Sequence, residues 1–330
     1  MQLCSVIFLV SFSLQAFGLS IPFPGSYART RRGRRGAVSS ESATCSKIGA
    51  ELIERGGSAA DALVGTVFCV GVIGMYHSGI GGGGFMIVRG ANGSYEIIDF
   101  RETAPAAAFE DMYKDNVNAS IYGGLASGVP GEIRGLEYLH KRYGRLSRAV
   151  VMHPAIKVAR HGFPVTADLV KQMDAATEGL PNFLVEDPDW AVDFAPNGTR
   201  LGLGDTITRK RYADTLEAIS KQGPDAFYNG VIANATIQAL TAKGGTMTLD
   251  DLKSYAVAIR EPAQIQYRGF KLTACSAPSS GTVALSVMKI IEGFDDIGDE
   301  RLLNQNTHKL DEAIRFGYGE VRPLLSPENL

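Results

Sequence analysis

HSGIGGGGFMIVRGANGSYEIIDFRETAP, residues 77 to 105, carries five glycines within the six positions Gly79 to Gly84 and then switches to strand-like runs. "FMIV", the polar tip "RGANGS" and the return "YEIIDF" predict a β-hairpin, with Asn92-Gly93 supplying the positive φ angles of a type I′ turn. The hairpin ends on a single arginine, Arg101, beside Glu102. Gly79 to Gly84 also satisfies G-x-G-x-x-G, with Asp99 about twenty residues on, but that fingerprint requires strand, loop, helix. Here the order is helix, loop, strand, so the spacing does not point to a dinucleotide. Two compatible readings stand for the glycines. They let backbone pack closely at a sharp turn, or they leave an open wall where a ligand approaches main-chain N–H groups. No side chain in the loop carries chemistry, which makes Arg101 the informative residue. Its guanidinium either pairs with Glu102 or a neighbouring acid, or fixes a carboxylate through two parallel hydrogen bonds.

Outward from this stretch, the segment before it predicts a short strand near Ala37 and a helix from Ser42 to Arg55 with Ile48, Leu52 and Ile53 on its inner face. Gly56-Gly57 stops that helix, and Ser58 with Asp61 three residues on forms an N-cap of the capping-box type. The next helix, Ala59 to Met75, is apolar nearly all round and so belongs in a core, with Gly65, Gly71 and Gly74 letting neighbours approach. Cys45 and Cys69 fall on these two successive helices, and antiparallel helices joined by a tight turn would let them pair. Downstream, "GEIRGLEYLHKRYGRLS", "AVVMHPAIKVARHG", "RYADTLEAISKQG", "NATIQALTAKGG" and "TLDDLKSY" read as helical. "IQYRGFKLTAC" reads as a hairpin, and "SAPSSGTVALSVMKIIEGFD" as a loop feeding a helix.

Residues 1–19 form an apolar run broken by Ser5, Ser11, Ser13 and Gln15. It reads as a secretory signal, with a type II membrane anchor as the alternative because the run lacks a basic n-region. Residues 20–36 follow as a Pro/Gly/Arg linker with Arg29, Arg31, Arg32, Arg34 and Arg35, either a dibasic processing site or a solvated tether. Without those five arginines, 28 basic residues face 35 acidic ones, giving −7, which argues against a general nucleic-acid binder. Residues 37–330 make up the globular part. Of four cysteines, Cys4 lies in the leader, leaving Cys45, Cys69 and Cys275, hence one bridge and one thiol in an oxidising compartment. Glycosylation sequons at Asn92, Asn118, Asn197 and Asn234 suit the same route. The five histidines, His77, His140, His153, His161 and His308, show no metal-ligand spacing, and there is no G-x-S-x-G elbow. Spacing alone therefore yields a secreted mixed α/β domain with a glycine-lined, arginine-gated pocket and no evident nucleophile.

Taken together, "GGSAADALVGTVFCVG", "HSGIGGGGFMIV", "IIDFRETAP", "GVPGEIRGL", "GPDAFYNG", "GGTMTLDDLKSY" and "SAPSSGTVALSVM" resemble, in order from Ala37 to Tyr318, the large subunit of γ-glutamyltransferases, the glutathione-degrading N-terminal-nucleophile hydrolases. The resemblance implies an α/β four-layer αββα sandwich whose small-subunit half is missing from the sequence given. It implies a precursor that cleaves itself before a threonine whose own amino group then serves as base, so no histidine is needed. It assigns Arg101 to the α-carboxylate of the γ-glutamyl group. Implied partners are glutathione and other γ-glutamyl compounds, amino acid or peptide acceptors and a small subunit from the same precursor, with no cofactor, no metal and no nucleic acid.

The chain departs from the family pattern at its end, reading "EVRPLLSPENL" after "FGYG". The catalytic threonine is expected beyond Leu330, and the 330 residues alone are expected not to turn over. The competing readings are an inactive truncated or binding chain of the same fold and a related γ-glutamyl, cephalosporin or polyglutamate acylase. The expected location is the secretory pathway, extracellular, or cell-surface or vacuolar if the N-terminus is kept as an anchor.

Overall fold

The computed structural model describes residues 36–321, so the leader over 1–19 and all but the last residue of the linker over 20–36 lie outside the described residues. The elements in chain order are α1 (Ala43–Glu54), α2 (Ala59–Ile73), β1 (Phe85–Arg89), β2 (Tyr95–Asp99), α3 (Glu132–Tyr143), α4 (Arg148–His161), β3 (Phe163–Pro164), α5 (Ala167–Thr177), α6 (Phe183–Glu186) and α7 (Pro188–Phe194). Then follow β4 (Thr206–Ile207), α8 (Lys210–Gln222), α9 (Asp225–Tyr228), α10 (Val231–Ala242), α11 (Leu249–Ser254), β5 (Ala258–Arg260), β6 (Ala263–Tyr267), β7 (Phe270–Ala274), α12 (Gly281–Glu292) and α13 (Leu303–Val321).

The segment over 36–41 is not a strand. The expected strand near Ala37 is replaced by irregular chain in which Ser40 N donates to Ser46 Oγ at 2.8 Å, so Ser40 is met by α1 and not by a sheet. Ser42 caps α1, and Ser58 and Asp61 form the expected capping box on α2. Asp61 is fully buried, and its Oδ2 also accepts from Arg145 N at 2.9 Å, tying the start of α2 to the α3–α4 connection. Helix α2 is buried on nearly every side, packed on α1, α3 and α4. Small residues allow this approach. A Cβ built on Gly65 would stand 2.3 Å from Leu52 Cδ1, and one on Gly49 the same distance from Thr66 Oγ1. The closeness of α1 and α2 brings Cys45 and Cys69 to a Cα separation of 5.4 Å, and they form a disulfide. Cys275 is a free thiol. No helix among the described residues is long and apolar enough to cross a membrane.

The hairpin forms as expected, β1 pairing antiparallel with β2 from Phe85↔Asp99 to Arg89↔Tyr95, and β5 adds to the free edge of β2 in a three-stranded sheet. Its turn differs from the sequence expectation. Gly93 N donates to Gly90 O, and of the tip residues only Gly93 has positive φ, +81°, while Asn92 does not. The loop is a three-residue connection with glycine in the left-handed position, in place of a type I′ turn. The primed geometry occurs instead between β6 and β7, where Arg268 (φ 46°) and Gly269 (φ 85°) are the two central residues. A main apolar core runs from α1 and α2 through α3, α4 and α8 to α11. Val283, Val287, Ile291 and Ala313 form a second, small cluster between α12 and α13.

Candidate functional site: the Arg101 turn and the glycine loop

Strand β2 carries the chain to Phe100, whose buried ring fills the space left by two glycines. A Cβ on Gly135 of α3 would meet Phe100 Cγ at 2.3 Å and one on Gly84 would meet its Cζ at 3.1 Å. With Phe100 locked, the next residue is held by its backbone at both ends. Arg101 N donates to Asp99 Oδ1 at 3.0 Å, and Tyr255 Oη donates to Arg101 O at 2.7 Å. Asp99 is itself 6 % exposed and paired with Arg260 of β5 at 2.6 Å, so Asp99 neutralises Arg260 and not the Arg101 side chain. The side chain of Arg101 is 64 % exposed, and its Nε lies 3.2 Å from Glu102 Oε2. That is the salt-bridge reading of the sequence, realised. It engages Nε and leaves the terminal nitrogens in no other ion pair among the described residues.

The glycine loop lies directly on this turn. A Cβ on Gly83 would stand 2.3 Å from Phe100 O and 3.0 Å from Glu102 N, so only glycine lets the two backbones pass. From the other side, Gly131 N and Glu132 N, at the start of α3, both donate to Gly82 O at 2.9 Å. Close packing is therefore the role of Gly83, whereas Gly81 faces open space and the loop walls a cleft of ≈ 360 Å³ with Arg209 and Tyr212 opposite. Close packing thus holds at Gly83, and Gly81 leaves the cleft wall open.

Beneath the loop sits Glu132, 4 % exposed, with Oε1 lacking any partner. Burial raises its pKa to about 7; the dipole of the nearby Gly79 N–H opposes this, and the negative charge of Glu102 adds to it. Burial likewise pushes the Tyr212 phenol up to about 12, with the Glu132 charge contributing, and Ile80 N–H pulling the other way. Arg209 stacks over the Tyr212 ring at 4.2 Å and donates to Gly71 O and Val72 O, closing the C-terminal end of α2. Its pKa is lowered, chiefly by burial. Sequence reasoning passed over Glu132, Tyr255 and the Asp99–Arg260 pair. The acid following Pro130-Gly131 at a helix start was the available signal for Glu132.

Of the histidines, His77 pairs with Glu41 at 2.6 Å and His140 Nε2 lies 2.9 Å from Leu146 O. No group of three or more His, Cys, Asp or Glu placed to hold a metal occurs among the described residues. The sequon residues Asn92, Asn118, Asn197 and Asn234 are all exposed, although Asn234 lies within α10 and donates its amide to Gly230 O.

The mixed α/β fold is shared with known proteins. The gamma-glutamyltranspeptidase family model matches residues 45–328. The glutathione hydrolase proenzyme of Arthroderma benhamiae is 51 % identical over 98 % of this chain and 58 % of its own length; the glutathione hydrolase of Aspergillus flavus is 48 % identical over 94 % and 52 %. Among solved structures, Helicobacter pylori gamma-glutamyltranspeptidase superimposes with a TM-score of 0.83 at 32 % identity, covering 88 % of this chain and 84 % of that one. The transpeptidase CapD of Bacillus anthracis gives 0.75 at 30 % identity over 89 % and 95 %. The chain belongs to the γ-glutamyltranspeptidase family, and its fold is the N-terminal-nucleophile hydrolase fold of that family. It spans a little over half the length of these two curated relatives.

Proposed function

We propose that this chain is the large-subunit portion of a glutathione hydrolase that cleaves the γ-glutamyl amide and passes the γ-glutamyl group to water or to an amino acid or peptide acceptor. In this reading Arg101 receives the α-carboxylate of the donor, and the nucleophilic threonine lies in the small-subunit part of the same precursor. The observation that carries it is the Arg101 turn: a backbone fixed by Asp99 and Tyr255 presents an exposed guanidinium beside a glycine wall. Glu102 on Nε holds the planar group from behind and leaves the terminal fork for a carboxylate, a geometry that lysine cannot reproduce. The relatives named as glutathione hydrolases support the substrate class. A disulfide between α1 and α2 and four exposed sequon asparagines support a secretory route.

The test uses the complete precursor. Arg101→Lys and Arg101→Ala are expected to lower kcat/KM for glutathione by roughly 2–5 kcal/mol, mainly through KM, because the carboxylate is remote from the reacting amide. Self-cleavage, followed by the appearance of two subunits on a gel, is expected to survive. The Arg101–Glu102 contact also supports a purely structural role, and a variant with normal processing and unchanged donor KM would establish that role instead.

A further inference from the structure

We propose that Arg260 is a positioning residue for donor binding: by holding the Asp99 carboxylate it keeps that charge off the Arg101 guanidinium and leaves the guanidinium to the donor. This rests on the reading of Arg101 as the donor anchor. Asp99 stands buried two residues before Arg101, and its two oxygens have separate partners. Oδ1 accepts from Arg101 N at 3.0 Å, which fixes the turn, and Oδ2 accepts from Arg260 Nε at 2.6 Å. The register of β2 and β5 makes this possible. Asp99 lies opposite Ala258 and Ile97 opposite Arg260, so Asp99 and Arg260 are diagonal neighbours on one face of the sheet, within reach of a long side chain.

A buried carboxylate whose cation is removed seeks another. The other titratable groups that feel the Asp99 charge do not supply one. Tyr255, after α11, has its phenol pushed up to about 12, and the Cys275 thiol, after β7, is also raised, each by burial first and by Asp99 in addition. Both stay neutral. The cation next along the chain is Arg101 itself. With Arg260 on Asp99 and Glu102 on Arg101 Nε, the turn carries no net charge. Without Arg260 it carries one net negative charge, and the freed carboxylate both competes for the Arg101 fork and repels a donor carboxylate.

The experiment measures KM and kcat for a chromogenic γ-glutamyl anilide on the complete enzyme, with self-cleavage on a gel as the check of folding. Arg260→Met is expected to raise the donor KM about ten-fold with most of kcat kept, and Arg260→Lys, which keeps the charge, to raise it less. Adding Asp99→Asn to Arg260→Met removes the freed charge and keeps an oxygen for the Arg101 amide, so the double variant is expected to recover most of the loss in KM. A pair that only fastens β5 to β2 gives no such recovery, because both of its halves are then gone. An unchanged KM in Arg260→Met, or a double variant no better than the single one, overturns the proposal. If Arg260→Met does not process, the double variant decides: processing with a KM near the parent's upholds the proposal, and a raised KM or no processing overturns it. Arg101→Lys run alongside separates this from the reading beneath it. A raised KM there beside an unchanged one in Arg260→Met overturns the present proposal alone, and an unchanged KM in Arg101→Lys overturns both.

Discussion

Replacing Glu132 by glutamine should change how the protein's stability depends on pH, in a direction that burial alone dictates. The carboxyl titrates at about 7 in the fold against an ordinary value of 4.5, so the folded state binds its proton more tightly than the unfolded chain. Stability from this group is fully present below pH 4.5 and is lost as pH rises through 7. At 1.36 kcal/mol for each unit of pKa difference, the gap amounts to about 3 kcal/mol between mildly acid and mildly alkaline conditions. Glutamine has nearly the same shape and does not titrate, so the parent should lose ground to Glu132→Gln as pH increases. At roughly 2 °C per kcal/mol for a large chain, the difference in Tm between the two complete proteins should move by about 5 °C from pH 5 to pH 8 in favour of the variant. Other titrating groups are common to both proteins and cancel in the difference. A Tm difference that stays constant across that range would show that Glu132 has an ordinary carboxylate pKa in solution, and would refute the account of its burial.

The Cys45–Cys69 bridge closes a loop of 24 residues, and replacing both cysteines by serine should cost about 3.5 kcal/mol in the chain-entropy account; peptide mapping without reduction should recover the two peptides linked. Gly83→Ala should raise the donor KM and lower Tm, because its Cβ meets the Phe100 carbonyl at 2.3 Å and backbone cannot step aside, a strain of about 1–3 kcal/mol. Gly81→Ala, with nothing within 4 Å of its Cβ, is the matched control and should change stability by less than about 0.5 kcal/mol.

Elements governed by local rules were legible in the sequence. The capping box at Ser58 and Asp61, the glycine stop after α1 and the apolar circumference of α2 each depend on neighbours within a turn or two, and each is found where the residues put it. The Asn92-Gly93 turn was misread because the dipeptide allows more than one hairpin connection, and loop length decides between them. The actual loop runs from Gly90 to Ser94, one residue longer than a two-residue turn, so a single left-handed glycine suffices. The strand near Ala37 was misread because extended backbone needs a partner to become a strand, and Ser46 takes its place. The site was half legible. Arg101 stood out by its position after "IIDF", but what holds it comes from far along the chain: Tyr255 is 154 residues away and Arg260 pairs with Asp99 across 161. For Glu132 the helix start was legible but the burial was not, since an acid there reads as a surface residue until the glycine loop is known to fold over it.

The helix start that buries a group costing stability is also the one that holds the glycine loop. A buried carboxylate with no cation is unfavourable, and glutamine would fill its place with less penalty at neutral pH. The glycine loop, however, has few ways of being fixed: it carries no side chain beyond Ile80, so only its N–H and C=O groups can be gripped. Gly82 O is met by two amides of α3. The loop bears on the turn whose guanidinium is displayed to solvent, so the α3 amides that hold Gly82 O also help fix where Arg101 stands.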